Sequence, residues 1–451
     1  MKNINRIFRI LLISVFLCLG IGLMFLILTI APIDQHIQRD GMMASMLSQI
    51  DTLSNPQAGT KEFEVGFSKV NLTPPFRTAT AGYGKRLGKD YSAVHDSIYV
   101  RTMVIDNGAE RVALVSLDLL LIPPEVTALL EVELPAIGFS LDNTYLGAIH
   151  SHNSIGNWGK GALTIMYGRY DDRVVHHIAD RIKESIQRAN SRKSPASIKS
   201  GEIPVSHAVY NRLIDNGPVD SLLRVLVITR NDSSRLMLMN FTAHATCLYS
   251  KDLELSRDYP GRLVDNMESH GYAFAMFMAG AVGSQGPRVA AQGWPCVDEM
   301  GMTLSSAFAS NRSRLQPVGG NTLWMKRVQL LMSEPQVKFL RHWRLRPWLF
   351  NAVFGDYPET LTVLRLGDLV MIGAPCDFSA EFYPAIDSVA HANGLRAMIT
   401  SFNGGYAGYV TPSRYYDEDH YETQLMNWYG PGNAEYMEKC MKQLVIQAAG
   451  N

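Results

Sequence analysis

Two histidines one residue apart, His150 and His152, close the apolar run "YLGAIHSHNS". With a strand period of two they project to the same side, and the Asn and Gly that follow put them at a strand end, where loops build sites. A second run, "LMLMNFTAHATCLYS", ends in His244, followed by small residues that leave room for a ligand. A third, "LVMIGAPCDFSAEF", ends in Asp377, with Glu381 one helical turn later. Imidazoles and a carboxylate gathered at strand ends can hold zinc with one coordination position open for water. Taken singly, each motif equally describes a polar side chain hydrogen-bonded at the end of a buried strand. The later stretch "SFNGGYAGYVTPSRYYDEDHYE" adds a loop dense in tyrosine.

The elements that must position these residues follow from the apolar runs "YVRTMVIDN", "RVALVSLDLLLI", "LRVLVITRN", "YAFAMFMAGAVG" and "LRLGDLVMIGAP", which alternate with helical stretches. In "RVVHHIADRIKESIQRAN", Val174, Val175, Ile178, Ile182 and Ile186 recur near a 3.6-residue period, which predicts an amphipathic helix on a sheet. His176 and His177 sit inside it. Adjacent helical positions diverge, so this pair reads as one surface and one boundary residue. The fold class is mixed α/β, with mixed β-sheets flanked by helices, the site at strand ends, and an N-terminal transmembrane helix in front.

That helix is read from "ILLISVFLCLGIGLMFLILTIAP", an uncharged run of bilayer-crossing length. Lys2, Arg6 and Arg9 precede it, which places residues 1–9 in the cytoplasm, a signal-anchor at 10–32, and the rest on the extracytoplasmic side. The run is longer than a typical signal-peptide core and its end is a poor cleavage site, so an uncleaved anchor is expected. Residues 33–61, with a short helical stretch around "HIQRDGMMASMLSQIDTL", read as a stalk, and residues 62–451 as one catalytic domain. The chain has 42 basic and 42 acidic residues, so charge supplies no reason to expect nucleic acid as a partner. Five cysteines without CxxC spacing exclude a zinc ribbon and are compatible with one disulfide in an oxidising compartment. Residues 338–355, "KFLRHWRLRPWLFNAVFG", mix arginines with Trp343, Trp348, Phe350 and Phe354, a composition suited either to a membrane interface or to a core whose arginines face solvent.

Over about residues 63–425 the sequence resembles the neutral, or alkaline non-lysosomal, ceramidases. The resemblance runs in order through "VGFSKVNLTPP", "VHDSIYVRTMVIDNGAERVALVSLDLL", "GAIHSHNSIG", "VYNRL", "NFTAHAT", "GAPCDFS" and "NGGYAGYVTPSRYYDEDHYET". It implies a zinc amidase that cleaves ceramide into a fatty acid and a sphingoid base. It further implies His150, His244, Asp377 and Tyr406 as zinc ligands. His152 and Arg212 would act on substrate beside the metal, with Tyr409, Tyr416 and Tyr421 in the loop that closes the site. Zinc held this way would lower the pKa of a bound water and polarise an amide carbonyl. Arg212, His152 or a tyrosine would supply donors to the oxyanion, and His152 would carry a proton to the leaving amine.

Three departures from the family pattern stand out. Asp377 replaces a glutamate, leaving Glu381 as the alternative ligand. "GAVGSQGPR" has Ser284 where an aspartate and Gly286 where a serine is expected, which removes any scheme using that serine as nucleophile. The family's C-terminal immunoglobulin-like domain does not follow the tyrosine loop. The reading is a membrane-anchored Zn2+ hydrolase of ceramide or a related N-acyl lipid. Its rivals are a hydrolase of another N-acyl amine or ester lipid, and an inactive lipid-binding protein with the same fold.

Overall fold

The computed structural model describes residues 2–34, 37, 39–355 and 357–450. Helix α1 (Lys2–Thr29) contains the apolar segment Phe8–Thr29, with mean hydropathy 3.0, which is exposed from Phe8 to Leu28 and buried only at Thr29. Among the described residues it is the one helix long and apolar enough to cross a membrane. The chain leaves it through strand β1 (Ile30–Pro32) and enters helix α2 (Asp40–Asp51). The helical stretch expected here therefore begins at Asp40, while His36 and Gln38 lie outside the described residues.

The segment expected as a stalk is packed onto the body instead. Met46 and Ile50 are fully buried, and Trp324 Nε1 donates to the Ser54 carbonyl at 2.8 Å. The physical reason is the apolar stripe of α2, which a free linker would leave in water.

The large sheet contains β2 (Glu64–Asn71), β3 (Tyr99–Asp106), β4 (Arg111–Leu117), β5 (Thr144–Ala148), β6 (Ser194–Pro204), β7 (Leu222–Arg230), β8 (Arg235–Phe241) and β9 (Phe274–Ala279). Their order is β9-β8-β7-β6-β2-β3-β4-β5, antiparallel except for the two outer pairs, β4 with β5 and β8 with β9. Helix α3 (Pro124–Glu133) connects the first parallel pair and α5 (Asp258–Ser269) the second. Both lie on the outer face with α4 (Asp172–Asn190) and α6 (Trp294–Ser310). The periodic residues predicted for α4 are all buried there. Asp171 caps this helix through the Arg173 amide. His176 is exposed, whereas the boundary residue His177 donates from Nε2 to the Leu72 carbonyl at 3.1 Å.

Beyond β10 (Leu323–Gln329) the chain makes the hairpin β11 (Lys338–Leu340) and β12 (Trp343–Leu345), then the short helix α7 (Pro347–Phe354). It returns as β13 (Thr360–Leu366), β14 (Leu369–Ala374), β15 (Asp377–Phe378), helix α8 (Tyr383–Ala392), β16 (Arg396–Ser401), β17 (Tyr409–Val410) and helix α9 (Asn433–Ala449). Strands β10-β13-β14-β16 form a second sheet, whose β14 and β16 are parallel across α8.

The alternation of side chains along the strands explains how the two sheets stack. On β3 and β4, Val100, Val104, Ala113 and Val115 face the outer helices. Met103, Ile105, Val112 and Leu114 face Met325, Leu364, Leu366 and Met371 of the second sheet. Helices α2, α8 and α9 cover the far side of that sheet. The result is a helix–sheet–sheet–helix sandwich, as the mixed α/β reading requires. Cys247 and Cys296 form a disulfide, while Cys376 and Cys440 are buried free thiols.

Because α2 is part of the body, Ile50→Ala should cost about 2–4 kcal/mol by denaturant titration. A residue in a solvated stalk would change stability by less than about 0.5 kcal/mol.

Candidate metal centre

Three of the fold's strands deliver the chemistry-bearing residues, and each belongs to a parallel pair. His150 lies two residues past β5, His244 three past β8, and Asp377 three past β14. The carboxyl ends of parallel strands are where α/β folds place ligands. His150 has a φ of 63° and Phe402, just beyond β16, a φ of 68°. Both occupy the left-handed region, at a cost of order 1–3 kcal/mol each for such residues. Their rings stack with centroids 3.8 Å apart and planes 5° apart, so each strained residue fixes the other. Gly283 allows its loop to touch Asp377, since a Cβ there would sit 2.3 Å from the Asp377 carbonyl oxygen.

The nitrogens converge. His150 Nε2 is 2.9 Å from His244 Nε2, and His152 Nε2 is 3.1 Å from His150 Nε2. Asp377 Oδ1 stands 3.3 Å from His244 Nε2 and 3.5 Å from His150 Nε2. Ligand atoms on a tetrahedral zinc, with bonds near 2.0–2.1 Å, are separated by about 3.3 Å. Behind the ligand atoms, His150 Nδ1 donates to the Leu120 carbonyl at 2.7 Å and His244 Nδ1 to that of Val282 at 3.0 Å. These bonds fix the tautomer that turns each Nε2 lone pair inward.

Asp377 Oδ1 is buried with no hydrogen-bond donor, while Oδ2 accepts from the Tyr406 hydroxyl at 2.7 Å. Inward lone pairs from His150 and His244, with His152 Nε2 at 3.1 Å from His150 and an orphaned carboxylate oxygen, fit a cation. The His150, His152 and His244 group can therefore hold a metal ion.

Electrostatics agree with that donor set. Burial pushes His150 down to about 3, against a smaller raising effect from the Leu120 carbonyl. Burial also holds His152 and His244 well below the ordinary imidazole value, so all three rings are neutral near pH 7. Asp377 is pushed up to about 7 by burial, against the lowering effects of the Tyr406 hydroxyl and Arg212. Its proton therefore competes with a cation near neutrality.

Around this centre the remaining expected residues separate. Arg212 Nη2 pairs with Glu422 at 2.7 Å, and Arg212 Nη1 lies 3.5 Å from the Tyr409 hydroxyl, to which it donates. That hydroxyl lies 3.0 Å from His244 Nε2. Tyr421, half exposed, sets its ring edge-on to Tyr409 at 5.8 Å. Tyr406 meets the cluster through Asp377 rather than through a histidine. Tyr416 is elsewhere, over the Lys338 ammonium at 3.9 Å.

Glu381 faces away from the histidines. It accepts from Ser284 Oγ at 2.5 Å, from Ser379 Oγ at 2.5 Å and from Asn211 Nδ2 at 2.9 Å. Asp377 is thus the carboxylate at the cluster. Ser284 is committed to this network, and a Cβ at Gly286 would strike the Tyr210 ring at 2.8 Å.

Sequence reasoning missed Arg86. Its buried guanidinium donates to the carbonyl of His152 at 2.6 Å, to Asn153 Oδ1 at 2.8 Å and to the carbonyls of Tyr249 and Asp252. It braces both histidine loops, yet nothing in "GYGKRL" marks it among the other arginines. Glu422 and Phe402 were also unmarked.

A cavity of about 600 Å³ approaches the centre through Tyr406. Trp158, Phe350, Phe354 and Trp428 are among its walls, and so is Tyr406, whose hydroxyl holds Asp377. Glu359 is the one carboxyl among its described lining residues, with Oε2 unpartnered and its acid form favoured by burial.

The fold and the cluster define a two-sheet α/β protein with a buried, histidine-rich cluster at its strand ends that could hold a cation. Residues 63–276 match the profile of the neutral/alkaline non-lysosomal ceramidase N-terminal domain. Among solved structures, the neutral ceramidase from Pseudomonas aeruginosa is 19% identical, with a TM-score of 0.72, over 88% of this chain and 74% of that one. A ceramidase complexed with C2 is 18% identical, with a TM-score of 0.70, over 88% of this chain and 75% of that one. At these identities the likeness establishes the fold. No curated protein matches the sequence.

Two measurements follow. Asp377→Asn should weaken metal binding more than about 100-fold, exceeding the usual effect of residues that only orient ligands, whereas Glu381→Gln should change it less than tenfold. Affinity in a competitive chelator titration should be nearly flat above pH 7.5. It should fall about tenfold per pH unit as pH drops below 7, where the Asp377 carboxyl gains its proton. A flat profile down to pH 5.5 would contradict this.

Proposed function

We propose that this protein is a zinc-dependent amidohydrolase that cleaves ceramide or a related N-acyl lipid to a fatty acid and an amine base. The observation that carries the reading is the donor cluster of His150, His152, His244 and Asp377, linked through Tyr406 to a cavity with aromatic walls that is large enough for an acyl chain. It is supported by the family match over residues 63–276. A zinc ion held by these residues would supply Lewis acidity toward water and an amide carbonyl.

The chain's own groups have separable tasks. We assign His152 to the metal beside His150 and His244, since its depressed pKa and its place in the cluster suit a ligand better than a proton carrier at neutral pH. Tyr406 serves by positioning Asp377. Arg212 keeps its charge: burial alone would lower its pKa, but Tyr409 and Glu422 outweigh that effect. Its guanidinium and the Tyr409 hydroxyl are the donors for the oxygen that becomes negative when the amide carbon turns tetrahedral. Burial raises Tyr409 well above the ordinary phenol value, so it retains the proton it offers. Tyr421 covers the mouth, and Gln329, Asn351 and Tyr357 give the cavity polar contacts beside its apolar walls.

For the chain as a whole we read residues 1–9 as cytoplasmic, the apolar segment of α1 as a membrane anchor and the body as extracytoplasmic. Lys2, Arg6 and Arg9, in the first turns of α1, support this orientation. The Cys247–Cys296 disulfide fits an oxidising compartment.

Hydrolysis of a panel of N-acyl lipids, with and without chelator, tests the reading. Ceramide should be cleaved, and chelation should stop it. Arg212→Ala should lower kcat/KM by about 10²–10³ at unchanged metal content. A metal-replete protein that cleaves a different N-acyl amine would move the substrate assignment, and one that cleaves none would favour a lipid-binding role.

A further inference from the structure

The end of α1 is fastened to the body. Its last carbonyls, which a helix leaves without internal partners, are taken by the segment that precedes and begins α7. Arg346 Nε donates to the Ile27 carbonyl at 2.8 Å, Trp348 Nε1 to that of Leu28 at 2.8 Å, and the Arg346 amide to that of Thr29 at 2.9 Å. One residue later the chain pairs as a strand with β12, in the register Ile30↔Leu345, Ala31↔Arg344 and Pro32↔Trp343. Residues 343–348 therefore sit within about one helical turn of the end of the apolar segment.

The surface there has the composition of a headgroup zone. Leu340, Trp343 and Trp348 are 55%, 43% and 55% exposed. Arg341 is exposed beside them, and Arg344 and Arg346 are partly so. Indole rings and guanidinium groups both favour the boundary between acyl chains and water. Proline at the start of α7 and Gly355, with φ 89°, just after it make this helix short and well bounded. Its other side carries Phe350 and Phe354 into the wall of the cavity beside Tyr406. One eight-residue helix thus touches both the anchor's end and the cavity.

We infer that the face formed by residues 340–354 docks on the surface of the bilayer that α1 spans, and that this face is the entrance by which lipid chains pass from that bilayer into the cavity. The inference rests on α1 being a membrane anchor, and it adds that the anchor is a clamp that sets orientation. A loosely tethered body would present every face to the membrane in turn. The clamped body presents one.

The test uses the full chain reconstituted in phosphatidylcholine vesicles, with benzoylphenylalanine replacing Leu340 or, as control, the exposed Met302 of α6. Flotation reports anchoring and photo-crosslinking reports lipid contact. The expected result is flotation of both proteins, with lipid adduct at position 340 at least fivefold above that at 302. Adding Arg346→Ala and Trp348→Phe should cut the adduct at 340 at least threefold without changing flotation. Flotation with equal adduct at the two positions would overturn the docking face while leaving the anchor intact. An unchanged adduct in the clamp variant would overturn the clamp, and failure to float would remove the anchor reading together with the inference.

Discussion

The structure depends on a crowding of lone pairs. Three imidazole nitrogens and a carboxylate oxygen point at one buried spot, with separations of 2.9 to 3.5 Å between the closest pairs. Without a cation, such an arrangement leaves a carboxylate desolvated beside electron-rich nitrogens, at a cost of several kcal/mol. With one, each of those atoms could serve as a ligand. The carbonyls of Leu120 and Val282, the stacked pair of His150 and Phe402, and the hub of Arg86 all resist relaxation of that cluster.

The cluster also explains the joining of the sheets. The histidines follow strands of the large sheet, whereas Asp377 and the tyrosines follow strands of the smaller one. Polar bonds tie the two layers near the site. Tyr145 and Thr400 hydroxyls meet at 2.6 Å, Asn240 Nδ2 donates to the Ile399 carbonyl at 3.0 Å, and Asn403 Nδ2 donates to that of Leu146. A cation bound across the seam would therefore stabilise the sandwich as well as the site, because binding that needs the folded arrangement adds its free energy to folding.

Much of the site was legible because strand ends are local features. A run such as "YLGAIHSHNS" displays its periodicity and its termination together, and the same holds for the runs ending in His244 and Asp377. The helix carrying Val174 to Ile186 was equally plain. The choice between Asp377 and Glu381 was not, since it depends on Ser284 and Asn211 reaching the glutamate from two distant segments and joining the neighbouring Ser379. Arg86 was hidden for the same reason: its partners in the two histidine loops lie more than sixty residues away. The polar character of residues 33–61 pointed to a stalk, and only the presence of α9 gives Met46 and Ile50 something to pack against. The order of the motifs carried the family resemblance, but how His152 and Tyr406 divide the work around Asp377 needed three-dimensional distances.

The most direct test is the metal content of the purified full chain, measured by plasma mass spectrometry after exhaustive dialysis, for the wild type and His244→Ala. The account predicts about one zinc per wild-type chain and less than a tenth of that in the variant, with both proteins folded by circular dichroism. A folded wild type that retains no metal after zinc loading, or a variant that retains a full equivalent, would contradict it.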